Sequence, residues 1–324
     1  MSIGIVIPCI FVDKLTKRCV LECRKKYPQA EIIVVVDYTN EGSREISDDA
    51  MVLVSGKSTI SAKRNMGVKQ SSSRYIAFID SDAYPADSWL EPAQKILAKN
   101  SDIATVGGPN ISPPEEPDTE RYVGLALKSF FVSGSFNFRK FISPARYCDN
   151  LPSCNLIVRR EEYLNMGGMD EKLYSSEDND FCYQLRKSGK KIYFSPDVVV
   201  YHKNRSIKQF INQRLVYGAT VWELLFLSKS ILDCYILAPF ILVLFIASGP
   251  ISFFFTPWLY VYLSVLAFYF LVLWLEAMRL SPSITDTWGT FLALLVGNLI
   301  PGVGTLGRLV GVMPDLSKIY KNYV

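Results

Sequence analysis

Charge of one sign is scarce in this chain. Its 35 Lys and Arg nearly balance 31 Asp and Glu, for a net charge of +4 over 324 residues. That leaves no case for nucleic acid as the principal partner. Cysteine is sparse and unpatterned: seven residues, an odd number, with no CxxC pair. Cys19 and Cys23 stand at helical spacing, so reduced thiols are expected rather than a disulfide, which fits a protein facing the cytosol. There is no internal repeat and no low-complexity tract. No leader peptide is expected, because Met1 runs almost directly into the apolar stretch Ile3–Ile7. Histidine occurs once, at 202. Hydrophobic residues are plentiful at 49%, but unevenly spread. Charge dominates up to about Ser230 and apolar runs dominate after it. The length suits one sizeable domain and something more.

The stretch Arg74-Tyr75-Ile76-Ala77-Phe78-Ile79-Asp80-Ser81-Asp82 organises the rest. Its apolar part reads as a buried strand, and it ends in two carboxylates one residue apart before a turn at Pro85. At the carboxyl edge of a parallel strand such a pair faces the crevice where open α/β sheets bind ligands. Two hard oxygen donors there suit Mg²⁺ or Mn²⁺. The alternative is a solvated turn in which Asp82 only caps the next segment. Around this stretch, Ile3–Pro8, Glu31–Asp37, Met51–Val54 and Asp197–His202 read as strands. Lys14–Lys26 and Ser61–Gln70 read as helices. This alternation implies an α/β fold with a mostly parallel sheet, and it places Asp37 and Asp80 at one edge. Pro109, Pro113, Pro114 and Pro117 mark a loop. The aromatic and basic run Phe130–Phe141 fits either a lipid-facing surface or an edge hairpin. Ser175-Ser176 ahead of Glu177 and Asp178 reads as a helix N-terminus.

The runs Ile7-Pro8, Val36-Asp37 with Gly42-Ser43, Lys63-Arg64-Asn65-Met66-Gly67 and Asp80-Ser81-Asp82 resemble a family 2 glycosyltransferase. Asn155, Arg159-Arg160, Gly167-Gly168-Met169-Asp170-Glu171 and Glu177-Asp178-Asn179-Asp180-Phe181 come next, in the family's order. The resemblance covers roughly residues 3–220. It departs in the first loop, where Pro8-Cys9-Ile10-Phe11 replaces the family's usual Pro-Thr-Tyr-Asn-like run. It implies an inverting enzyme of GT-A fold that takes a sugar from a nucleotide diphosphate donor with Mn²⁺ or Mg²⁺. On this basis Pro8, Asp37, Lys63, Arg64, Asn65, Asp80 and Arg214 would meet the donor, with Asp37 at the base. Asp82 would bind the metal, with Asp80 assisting. His202 is either a further ligand or a structural residue. Asp178 would be the general base, supported by Glu177. Asn155 and Asp180 would serve the acceptor side.

The domain expected at 1–205 is followed by a basic amphipathic helix at 206–229, of the kind that lies on a membrane surface. Beyond it, apolar stretches at about 231–249 and 257–278 are each of membrane-crossing length. A third at about 286–313 is interrupted by Gly297, Pro301-Gly302, Gly304 and Gly307 and is expected as a re-entrant hairpin or third span. Basic flanks at Lys203–Lys229 and Arg279 put the enzyme domain and Arg279 on the cytoplasmic side of the inner cell membrane, and Lys318 and Lys321 suggest that the C-terminus lies there too. The expected reaction is sugar transfer to a hydroxyl of a lipid-linked acceptor. The alternatives are transfer to polyprenyl phosphate, which needs no base, and an inactive sugar-nucleotide-binding subunit. Oligomeric state is not readable from the sequence.

Overall fold

The strand Ile3–Pro8 (β1) is buried along its whole length and sits between two parallel neighbours, Glu31–Val36 (β2) on one side and the strand ending in the acidic pair on the other. In chain order the remaining strands are β3 (Met51–Val54), β4 (Tyr75–Phe78), β5 (Ala83–Pro85), β6 (Ile103–Gly107), β7 (Asn110–Ile111), β8 (Arg146–Tyr147), β9 (Leu156–Arg159), β10 (Lys191–Phe194) and β11 (Val200–His202). Eight of them form one sheet in the order β3-β2-β1-β4-β9-β6-β10-β8, while β5, β11 and β7 form a second. Only β9 and the edge strand β8 run against the rest of the large sheet. The expected mostly parallel α/β sheet is therefore present, with an antiparallel β9 set between β4 and β6. A parallel neighbour needs a crossover helix on the sheet face. The segment leading to β9 is not one, because it leaves this unit at Pro114 and returns at Phe141.

The computed structural model describes residues 2–173, 176–223 and 234–312. They divide into two units: residues up to Pro113 with Phe141–Lys203, and Pro114–Lys140 with those from Asn204 onward. In the first unit, α1 (Lys14–Lys26) starts where the Asp13 carboxylate accepts from the Thr16 N–H at 2.8 Å. It buries Thr16, Cys19, Val20 and Cys23 against the sheet. After a short α2 (Glu41–Glu45), α3 (Ile60–Gln70) buries not an apolar stripe but Lys63, Arg64 and Asn65. It can lie this close because Gly67 rests on Val6, where a Cβ would come within 2.5 Å of the valine side chain. Next comes α4 (Leu90–Lys99). In the second unit the chain forms α5 (Asp118–Leu127), α6 (Phe130–Ser133) and a 3₁₀ turn at Gly134–Lys140, so the hairpin considered for this aromatic run is not formed. Back in the first unit lie α7 (Arg160–Asn165) and α8 (Glu177–Lys187). The serine cap expected ahead of α8 is not made. Ser176 is left-handed at φ 64° and its side chain makes no capping bond. Ser175 lies outside the described residues.

The second unit continues with α9 (Ile207–Glu223), α10 (Ala238–Ala247), α11 (Thr256–Leu280) and α12 (Ile284–Leu309). On α9, Phe210, Val216 and Ala219 are buried while Lys208, Gln209 and Asn212 are exposed, so its two-sided character is real. Residues 224–233 and 313–324, with part of the expected first span and the terminal lysines, lie outside the described set. At ten residues α10 rises about 15 Å, half of a bilayer core. Of the two expectations for the last apolar stretch, the re-entrant hairpin is not formed, for α12 runs unbroken through Pro301. Its glycines are contact points instead. A Cβ on Gly304 would lie 2.2 Å from the Leu215 carbonyl oxygen of α9, and one on Gly302 would lie 2.1 Å from that of Pro239. On the facing side, a Cβ on Gly218 would come within 1.8 Å of the Pro301 carbonyl oxygen. Thr305 ties the seam by donating its hydroxyl to the Gly218 carbonyl at 2.9 Å. Small residues of this kind let helix backbones approach closely. Gly218→Val must therefore part α9 from α12, because a backbone oxygen cannot rotate away. A loss of about 1–3 kcal/mol is expected, read as a lower thermal midpoint of the detergent-solubilised chain.

Candidate active site

Strand ends supply the first half of the site. Asp37 follows β2, and Asp80 and Asp82 follow β4, at the same carboxyl edge of the large sheet. The small sheet adds the histidine. His202 pairs opposite Ala83 across the antiparallel β11 and β5, and the Lys203 N–H donates to the Asp82 carbonyl at 3.1 Å. This register sets the imidazole Nε2 at 3.4 Å from Asp82 Oδ1 and 3.6 Å from Asp80 Oδ2. Those distances exceed hydrogen-bond length. They match the spacing of two ligands of one ion, because bonds of about 2.0–2.3 Å put tetrahedral or octahedral ligands about 3–3.7 Å apart. Cys154, which the sequence reading passed over, joins them. One ligand atom each from Asp80, Cys154 and His202 lies within 4.8 Å of the others. Carboxylate, imidazole and thiol form a donor set that fits a divalent ion such as Mn²⁺ better than Mg²⁺, which prefers oxygen alone.

Arg64 supplies the link to the second half. Buried to 1% exposure, its guanidinium donates from Nη2 to Asp80 Oδ1 at 2.8 Å and from Nη1 to Glu177 Oε1 at 2.7 Å. Burial works against its charge, but Asp80, Glu177 and Asp178 outweigh that and hold the guanidinium above its ordinary pKa. The two carboxylates respond in opposite directions. Burial would raise Asp80, yet the His202 imidazole and the Arg64 guanidinium hold it well below the usual carboxylate range. Glu177 is raised by burial and by the neighbouring Asp178, and Arg64 only partly offsets this. Asp178 is fixed by two backbone donors, Ser153 N–H to Oδ2 at 3.1 Å and its neighbour Asn179 N–H to Oδ1 at 2.8 Å. Each oxygen keeps a further lone pair. The turn Ser153–Asn155 thus touches both halves, through the N–H of Ser153 and the sulfur of Cys154.

At the other end of the edge, Lys63 is buried and forms an ion pair with Asp37, Nζ to Oδ1 at 2.6 Å. Next in sequence to Asp37, Tyr38 stacks on Phe11 with ring centroids 5.8 Å apart, and both side chains are exposed. Neither was expected from the sequence; the available signal was an aromatic residue soon after each of β1 and β2. Pro8 ends β1 opposite Val35 and is buried.

The Glycosyl transferase family 2 model matches residues 4–163. The chain carries a family 2 glycosyltransferase domain. Over 163 residues it is 29% identical to a pre-mycofactocin glycosyltransferase of Mycobacterium tuberculosis, covering 49% of this chain and 33% of that protein. Over 164 residues it is 26% identical to a dolichyl N-acetyl-α-D-glucosaminyl phosphate 3-β-D-2,3-diacetamido-2,3-dideoxy-β-D-glucuronosyltransferase of Methanococcus voltae, covering 48% and 49%. The chain thus spans half or less of the length of these relatives. Among solved structures it superposes with a TM-score of 0.60, at 13% identity, on a mannosyltransferase of Pyrobaculum calidifontis in complex with GDP-mannose and Mn²⁺, covering 96% of this chain and 88% of that one. The fold of the glycosyltransferase domain is therefore GT-A-like.

Several motif residues of the domain are engaged in contacts that hold its frame. Asn65 is saturated: its Nδ2 donates to the Met169 carbonyl and to Glu171, each at 2.9 Å, and its Oδ1 accepts from Tyr163 and the Met169 N–H. Gly168, at φ +82°, admits this clasp, since a Cβ there would lie 2.5 Å from Asn65 Oδ1. Asn155, fully buried, donates to the Pro109 and Val198 carbonyls and accepts from Trp89 Nε1 at 2.8 Å. Donor contact by Asn65 and acceptor contact by Asn155 would each require breaking that frame. Arg159 binds the Leu97, Asn100 and Ile103 carbonyls. Asp180 sits on the first turn of α8, its carboxyl raised by burial. Arg214 belongs to the second unit, where it donates to the Val132 carbonyl and lies over the Phe210 ring. Removing the bridging cation leaves two facing carboxylates: Arg64→Met should cost about 3 kcal/mol, and adding Glu177→Gln should restore part of it, a coupling that a double-mutant unfolding cycle measures.

Proposed function

We propose that the chain is an inverting, divalent-metal-dependent glycosyltransferase that moves a sugar from a nucleotide diphosphate donor to a hydroxyl on a lipid-linked acceptor. The observation that carries this reading is the Arg64 bridge, which ties a carboxylate and histidine cluster suited to a metal to an acidic helix start suited to a base. Asp82, Asp80 and His202 would hold Mn²⁺, and the ion when bound neutralises charge on the leaving diphosphate. Phe11 and Tyr38 offer the base a stacking face, and Asp37 can accept from a base N–H while Lys63 balances its charge. Asp178 takes the acceptor hydroxyl's proton on a lone pair not used by Ser153 or Asn179. Arg64 keeps Asp80 ionised and sets the position of Glu177, and so of the adjacent Asp178.

A membrane-bound setting is part of the proposal. Among the described residues two helices, α11 and α12, are long and apolar enough to cross a bilayer, with mean hydropathies of 2.0 and 1.6. Only 6% of the α11 window is buried, which supports a helix facing lipid over one packed in a protein core. Tyr260 and Phe268 are each 68% exposed, which supports a lipid-facing surface with the tyrosine hydroxyl near its polar edge. The Methanococcus relative is named for a dolichyl-phosphate-linked sugar as its substrate, which agrees with a lipid-linked acceptor here. We place the catalytic unit on the cytoplasmic face from the basic residues Lys203, Arg205, Lys208 and Arg214 that precede the apolar segments. A second reading has one observation in its favour. Glu177 and Asp178 are both committed to protein donors, and a polyprenyl phosphate acceptor, already ionised, would need no base.

The test is nucleotide release from UDP-, GDP- and dTDP-sugars by the lipid-reconstituted chain with a lipid extract. Release should vanish with EDTA and with Asp82→Asn. With Asp178→Asn, kcat should fall about 10²- to 10⁴-fold. Full activity in Asp178→Asn would overturn the hydroxyl acceptor in favour of the phosphate. Alkaline extraction of expressing membranes should leave the chain in the pellet; release into the supernatant would contradict membrane spanning.

A further inference from the structure

We propose that Cys154 is a sulfur ligand of the divalent ion held by Asp80, Asp82 and His202, so that the centre accepts thiophilic ions such as Co²⁺ and Cd²⁺ as well as Mn²⁺. The proposal rests on the metal-dependent reading above and extends it to a donor atom outside the acidic motif.

Position is the first argument. The thiol lies within 4.8 Å of a carboxylate oxygen of Asp80 and a ring nitrogen of His202. A buried cysteine serving only as packing sits among hydrocarbon neighbours; this one faces two ligating groups from the edge of the sheet. Rigidity is the second. Cys154 is 5% exposed and occupies a turn held at both ends. Ser153 is bonded to Asp178, and Asn155 is locked by Trp89, Pro109 and Val198. A sulfur so fixed needs no loop closure to reach an ion. The third argument is its partner. Asn110 Nδ2 donates to the sulfur at 3.2 Å, which suits a thiolate, the form that metals bind. Asn110 pairs with Val200, two residues before His202 on β11, so one small sheet places both the imidazole and the sulfur's donor. On coordination the S–H bond is exchanged for a sulfur–metal bond and the proton leaves to solvent. Sulfur shifts preference towards softer ions than an all-oxygen site selects.

The experiment uses the full chain in lipid nanodiscs, stripped with chelator and reloaded with Co²⁺. Wild type should show a near-ultraviolet thiolate-to-Co²⁺ charge-transfer band beside the visible d–d bands. Cys154→Ser should lose the first and keep the second, with Cys154→Ala as a second variant and the metal-free unfolding midpoint as the check on folding. Asp82→Asn with His202→Ala should lose both. If the near-ultraviolet band survives Cys154→Ser, or if wild type shows visible bands alone, Cys154 is not a ligand, although the metal site stands. If wild type retains no Co²⁺ and no Mn²⁺, the metal-dependent reading fails and this proposal with it.

Discussion

One buried guanidinium holds the site together. Arg64 has lost its water, and a cation in that position persists only if it is paired and hydrogen-bonded. Asp80 and Glu177 do this from separate parts of the chain, a strand end and a helix start. The arrangement requires α3 to lie against β1, which Gly67 permits, and requires α8 to begin where Glu177 can reach inward. The left-handed Ser176 sits one residue before that point, the one non-glycine positive φ among the described residues. Strain of this kind persists where surrounding contacts over-determine it.

The two carboxylates on Arg64 differ because their other neighbours differ. Asp80 adds an imidazole and is held ionised, whereas Glu177 adds a second carboxylate and deeper burial and is pushed the other way. Environments that separate the behaviour of like groups are a mark of working sites. The metal side and the base side of the proposed reaction are thus electrostatically linked without touching. The turn Ser153–Asn155 provides a second link, made by a backbone N–H and a sulfur. In the second unit the corresponding constraint is steric. There Gly218, Gly302 and Gly304 each face a backbone oxygen, so close packing rather than chain flexibility explains why glycine is there.

Much of the fold was legible from the sequence because the signals were local. Runs of Ile and Val bounded by Pro8 and Asp37, and the helical spacing of Leu15, Cys19 and Val20, dictate buried strands and a helix with little outside help. The same holds for the carboxyl edge that collects Asp37, Asp80 and Asp82, since parallel strands place their ends together. The apolar character of α11 and α12 is likewise composition alone. Where a motif left two readings open, the deciding contact was remote. Glycines in α12 are chemically ambiguous between a helix break and a close approach, and only the facing backbone of α9 and α10 resolves it. Asn65 and Asn155 look like ligand-binding amides until Met169, Glu171, Tyr163, Trp89, Pro109 and Val198 are seen to use them up.

The sequence by itself therefore determined which residue types this protein has for chemistry and the strand ends that display them, because period and composition act over a few neighbouring residues. Only the tertiary structure decided which of them share a charge or a point in space. Arg64 bridging residues 16 and 113 positions away, Cys154 arriving beside His202, and the stacked Phe11 and Tyr38 all depend on sheet order and register. Those are settled by the packing of the whole domain and leave no trace in any local spacing.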